Sequence, residues 1–96
     1  MIIRIVEMEF KEECVQDFLH IFNFNFDKIS NFNGCISLKL VQEKNNICRF
    51  LTLSEWENET DLENYRNSEF FKATWKKTKI LFKRKPKALT TFLINH

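Results

Sequence analysis

The stretch SEWENETDLENYRNSEFFKATW, Ser54 to Trp75, holds the residues best suited to chemistry on an aromatic molecule: Trp56, Tyr65 and Trp75. Indole and phenol rings bury large apolar areas and keep a polar N–H or O–H at one edge, so they can wall a pocket and orient what enters it. Trp56 ends a β-like run and reads equally as strand-end packing or as a cavity wall. Trp75 lies on an apolar helical stripe, which favours the core. Tyr65 reads as a surface or rim residue whose phenol orients a substrate only if its short helix turns inward.

The rest of the chain offers no Ser/His/Asp set, paired catalytic carboxylates, phosphate loop or metal cluster. An enzyme built on it must rely on an apolar pocket and a few polar contacts, and no cofactor or metal is expected. His20 lies one step off the apolar stripe of its helix and reads as a partly exposed imidazole. His96 is terminal and is expected to fray. Arg4 and Arg49 sit on strands and could meet an anionic ligand, but ion pairing to Glu7 or Glu55 is the simpler role.

Composition bounds the rest. With 96 residues, 44% apolar and 29% charged, the chain makes one globular domain, residues 1–96. No run is long and apolar enough to span a membrane, and MIIRIVEMEF reads as a strand rather than a signal peptide. The three cysteines, Cys14, Cys35 and Cys48, are an odd number, and Cys35 and Cys48 fall out of register for a bridge across the hairpin. Reduced thiols and a cytoplasmic location follow as the expectation. The segment KKTKILFKRKPK carries seven basic residues and no acid. It reads as a solvated helix face whose cations favour the helix C-terminus, not as a nucleic-acid surface, because no aromatic-basic signature accompanies it.

The elements that must position these residues follow from periodicity. IIRIVEME, residues 2–9, is β-branched and short, hence a strand. From Lys11 the period becomes helical, with Val15, Phe18, Leu19, Phe22, Phe26 and Ile29 on one stripe. Phe24 falls off that stripe and needs a second surface. Gly34 follows the helix where a left-handed residue is expected. CISLKLVQ and ICRFLTLSEW form a hairpin turning near Lys44–Asn46. Asn58 caps a short helix running to about Asn67, and Ser68 caps the next. That last helix presents Phe71, Trp75, Thr78 and Phe82 and is stopped by Pro86. Residues 88–94 close the sheet.

The order β-α-β-β-α-α-β describes an α+β, ferredoxin-like sandwich with helices on one sheet face. Yet the strands are apolar on both faces. Ile2, Val6 and Met8 alternate with Ile3 and Ile5, and Phe50 with Leu51 and Leu53. The uncovered face predicts a homodimer packed sheet to sheet.

On these residues the chain resembles the antibiotic biosynthesis monooxygenase family of dimeric α/β barrels. The likeness rests on a strand ending in Trp56, followed by Asn58 and Leu62, then Ser68 and Phe71, then the closing strand KPKALTTFLI. NFNGC fits the turn before the second strand, with Asn33 where relatives carry proline. The resemblance implies several activities. One is cofactor-free oxidation of a polyphenol whose electron-rich phenolate reduces oxygen directly. Another is heme degradation, which in relatives pairs the tryptophan with an asparagine on the first strand and a histidine on the last helix. Here those places hold Ile5 or Val6, and Thr74 or Trp75. Polyphenol-oxidising relatives carry a tyrosine soon after the tryptophan; the matching position is Leu62, with Tyr65 one helical turn on.

Three functions follow. The first is a monooxygenase binding a small aromatic or polyphenolic molecule between helices and sheet, walled by Trp56, Phe22 and Trp75, with Tyr65 at the rim and Trp56 the best catalytic candidate. The second is a non-catalytic dimer that binds or senses a small apolar ligand. The third, heme degradation, lacks its asparagine and histidine. Eleven phenylalanines leave open whether the pocket exists or is filled.

Overall fold

The computed structural model describes residues 1–95, so His96 lies outside it. Strand β1 (Ile2–Glu9) leads through a 3-10 turn (Glu12–Cys14) into helix α1 (Val15–Ser30). Strands β2 (Cys35–Glu43) and β3 (Asn46–Trp56) form the hairpin, helices α2 (Glu59–Arg66) and α3 (Glu69–Lys79) follow, and β4 (Lys87–Phe92) closes the chain. The four strands are antiparallel in the order β2-β3-β1-β4, the ferredoxin-like arrangement.

Local chemistry sets the joins. The Asn58 side chain accepts the Asp61 amide at 2.9 Å and opens α2, and Ser68 Oγ accepts the Phe71 amide at 3.0 Å and opens α3. Gly34 takes φ +88°, a left-handed angle open to glycine. It also sits so close to Asp61 that a Cβ there would run into the aspartate side chain. Its carbonyl accepts the Glu57 amide at 2.9 Å, which ties the start of β2 to the β3–α2 join.

Register determines which residues meet. Across the sheet, Leu38, Ser54, Arg4 and Thr90 form one row, and Leu40, Thr52, Val6 and Ala88 the next; both face the helices. The opposite face carries Lys39, Leu53, Ile5 and Leu89 in one row, with Ile3, Leu51 and Val41 beside it. The three cysteines are free. Cys35 pairs with Trp56, while Cys48 falls in the irregularity between the Gln42–Phe50 and Glu43–Asn46 pairs.

Several local expectations are corrected. Helix α3 ends at Lys79, well before Pro86, so proline does not stop it. The chain is instead drawn back to the end of β1: the Lys11 amide reaches the Leu81 carbonyl at 3.1 Å, and the Lys83 amide reaches Glu9 at 2.9 Å. Phe82 therefore lies outside the helix, stacked on Phe10 at 5.1 Å. Strand β4 stops at Phe92 rather than residue 94. Phe26 sits at the exposed edge of its stripe, and Phe24 is 81% exposed on α1. The basic segment divides. Lys76, Lys77 and Lys79 occupy the last turn of α3, while Arg84 pairs with Glu9 at 3.4 Å. Among the described residues, no helix is long and apolar enough to cross a membrane.

The core has two parts. Met8, Phe10, Val15, Phe18, Phe22 and Phe50 form one cluster, with Phe10 stacked on Phe18 at 4.1 Å. Ile2, Trp56 and Leu62 form the other, bordered by Phe32, Cys35 and Tyr65.

Candidate functional site

Between these two clusters the helices and sheet do not meet, and a cavity of about 330 Å³ remains. That lies at the small end of the range for small-molecule sites, about 300–1,000 Å³. The phenylalanines leave it open because several are drawn to one end. Phe10, Phe18, Phe50 and Phe82 pack on one another, with centroid separations from 4.1 to 6.0 Å. The helix-facing side of β3 meanwhile carries the short side chains Thr52 and Ser54 under the gap.

Of the residues expected at a site, Phe22, Tyr65 and Trp75 line this cavity, joined by Phe71 and Thr74 from α3. Phe71 and Trp75 stack at 6.0 Å with an interplanar angle of 10°, giving α3 a continuous aromatic surface over the gap. Trp56 is placed otherwise. It is fully buried, its indole N–H donates to Ser54 Oγ at 2.9 Å, and its ring stacks on Tyr65 at 5.0 Å. Of the two readings left open for Trp56, core packing and cavity wall, the geometry is that of core: the indole lies behind Tyr65 and does not line the cavity. The physical reason is register, since Trp56 pairs with Ile2 at the end of the sheet, one row beyond the cavity floor.

Two arginines also line the cavity: Arg4, for which an anionic ligand was the lesser expectation, and Arg66, which no expectation named. Arg4 does not pair with Glu7 or Glu55. Its Nη1 donates to Thr90 Oγ1 at 2.7 Å, while Arg49 takes Glu7 at 2.8 Å. A signal was present, because Arg4 alternates in phase with Ile2, Val6 and Met8, the face that turns toward the helices. Arg66 bonds Glu63 at 2.9 Å. Burial depresses the Arg4 pKa most, repulsion from Arg66 adds to it, and Glu63 partly offsets both. The guanidinium nevertheless stays charged at neutral pH.

Burial, and then the neighbouring Cys35, push the Tyr65 phenol well above its ordinary value of 10.0. Tyr65 is thus a neutral hydrogen-bond donor at physiological pH and not a phenolate base. The neutral form is favoured by the fold, so its stabilising contribution is complete below about pH 10 and is lost as the pH rises toward the higher folded value. The chain has one tyrosine, so an ultraviolet titration of the phenolate band reports this residue alone. Half-titration should come above pH 10 in the native protein and near that value in denaturant; coincident curves would mean a solvated phenol.

His20 is exposed on α1 and does not line the cavity. Val6, Thr74 and Trp75 line it and supply neither an imidazole nor an amide, whereas Ile5 faces the opposite side of the sheet. Among the described residues, no group of three or more His, Cys, Asp or Glu could hold a metal ion.

The sequence model of the antibiotic biosynthesis monooxygenase family matches residues 1–77, a span from β1 into α3 that carries most of the cavity lining. The chain belongs to the antibiotic biosynthesis monooxygenase family. Solved structures agree on the fold. One described as an antibiotic biosynthesis monooxygenase superposes with a TM-score of 0.91 at 15% identity, covering 99% of this chain and 100% of that one. A conserved protein from Methanosarcina mazei Go1 gives 0.88 at 24% identity over 95% and 91% of the two chains. The protein Rv0793 from Mycobacterium tuberculosis gives 0.90 at 10% identity over 99% and 96%. No curated protein matches the sequence. Three cavity residues, Thr78, Pro86 and Ala88, lie beyond the matched residues.

Proposed function

We propose that this family member is a cofactor-independent monooxygenase acting on a small aromatic, polyphenol-like substrate held in the cavity between helices and sheet. The observation that carries the reading is the cavity itself: an apolar space walled by Phe22, Tyr65, Phe71 and Trp75 and left open in a chain of eleven phenylalanines. Aromatic walls bind a planar ring by stacking and edge contacts, and they exclude water from it. Tyr65, held neutral, donates to a substrate oxygen. Trp56 acts as the backing that holds the Tyr65 ring in place rather than as a reacting group.

The substrate supplies the electrons. An electron-rich phenol loses its O–H proton as a ring carbon reduces dioxygen; one oxygen atom stays on that carbon, and the other takes that proton and the displaced ring hydrogen as water, so that a phenol and dioxygen yield a quinone and water. The protein contributes positioning and a dry, electropositive site.

The active form in this proposal is a homodimer packed through the outer sheet face. Ile3, Ile5, Val41, Leu51, Leu53 and Leu89 lie together there with no element among the described residues to cover them, and Val41 and Leu89 are 41% and 56% exposed.

Oxygen uptake with a panel of phenols and hydroquinones tests the activity. Thr74→Phe adds a ring at the cavity wall, on a half-buried helical position. It should lower turnover more than about tenfold, the scale of losing a well-placed substrate, without changing the melting temperature by more than a few degrees. Ligand-induced thermal stabilisation with no oxygen consumed would leave a binding or sensing module instead. Neither stabilisation nor turnover would overturn the site.

A further inference from the structure

We propose that the ligand of this cavity is an aromatic acid, its carboxylate held between Arg4 and Arg66 and its rings against the aromatic wall. The inference rests on the cavity being the functional site and adds the class of molecule that it takes. Among the residues lining the cavity, only Arg4, Arg66 and Tyr65 carry ionisable groups, and Tyr65 is neutral. An otherwise apolar chamber therefore carries two fixed positive charges and no carboxylate of its own. Glu63 binds Arg66 from outside the lining, which leaves one positive charge uncompensated. Arg4 donates to Thr90 through one nitrogen, so most of its N–H groups remain available to a ligand.

Two cations that repel one another in a half-buried site are stabilised by an anion placed between them. A simple phenol, with a pKa of about 10, is neutral at physiological pH and cannot fill that role. A carboxylate is charged, and its two oxygens match the planar fork of a guanidinium. The volume of about 330 Å³ admits one or two fused rings behind that group. In the proposed reaction the oxidised molecule is then a hydroxyaryl acid, anchored by its carboxylate while the phenolic carbon meets oxygen.

Binding of naphthoic acid, methyl naphthoate and naphthol, followed by tryptophan quenching and calorimetry, tests this directly. The wild-type protein should bind the acid at least about tenfold more tightly than the ester or the phenol, the scale of one charge-assisted hydrogen bond. Arg4→Gln and Arg66→Gln should each remove most of that preference and leave the ester unchanged, while Arg4→Lys should keep part of it. Glu63→Gln, which removes the competing carboxylate, should tighten the acid severalfold. Thr74→Phe should block all three compounds. Equal affinity for acid and ester, or acid binding untouched by either glutamine variant, with Thr74→Phe still blocking, would overturn the aromatic-acid proposal and leave the cavity as the site. Acid binding that survives Thr74→Phe, or no binding of any of the three, would overturn both.

Discussion

Trp56→Ala should remove about 3–5 kcal/mol of stability, the range for deleting a fully buried large aromatic. In a domain of this size the total is about 5–15 kcal/mol, so a large part of the folded-state margin would go. The effect has three sources on the structure. The indole fills the space beside Ile2 and Leu62, where no other large ring is fully buried. Its N–H bonds Ser54 Oγ at 2.9 Å, and the alanine variant would leave that buried hydroxyl without its partner. Its face supports Tyr65 at 5.0 Å, and Tyr65 in turn contacts Phe32 and Phe71 edge-on at 5.2 and 5.0 Å. Urea unfolding should show the midpoint falling by roughly 1–5 M, given slopes near 1–3 kcal/mol/M. Trp56→Phe keeps most of the volume and should cost less than about 2 kcal/mol. An alanine variant within about 1 kcal/mol of the parent would mean that the indole is not the packed centre of this end of the molecule. Cavity variants such as Trp75→Ala should behave in the opposite way, weakening ligand binding more than they weaken the fold.

The second large effect concerns assembly. Ile5→Lys places an ammonium at the centre of the outer face, flanked in its row by Leu53 and Leu89. In a sheet-to-sheet dimer the two-fold axis brings two such charges into one apolar interface, each costing several kcal/mol to desolvate without a partner. The dimer dissociation constant should rise at least about a hundredfold, as read by sedimentation velocity across a concentration series. Phe24→Lys, on the far surface of α1, should leave assembly unchanged. A parent protein that sediments as a monomer at micromolar concentration would end the dimer proposal, and Ile5→Lys would then have no effect on mass.

These two residues also mark how far the chain could be read before its structure. Ile5 was legible as a member of a second apolar face, because strand alternation is local and needs only neighbours in sequence. Trp56 was legible as an aromatic at a strand end, but not its direction relative to the cavity. That depends on its pairing with Ile2 and on where Tyr65 lies, both distant in the chain. Arg4 shows the same division. Its phase placed it on the helix-facing side, yet the simpler expectation of a glutamate partner displaced that signal. Arg66 carried no signal, because nothing local says which way a short polar helix turns. Phe82 was read as helical from its spacing, whereas Phe10 draws it out to the sheet.

The sequence by itself determined the elements, the helix caps at Asn58 and Ser68, the left-handed turn at Gly34 and the family likeness, since each rests on residues close together along the chain. Only the tertiary structure decided that the phenylalanines cluster at one end, that Trp56 stands behind Tyr65, and that two arginines share the space left between. Whether a cavity persists depends on how side-chain volumes from separate elements add up at one place, and no local pattern encodes that sum.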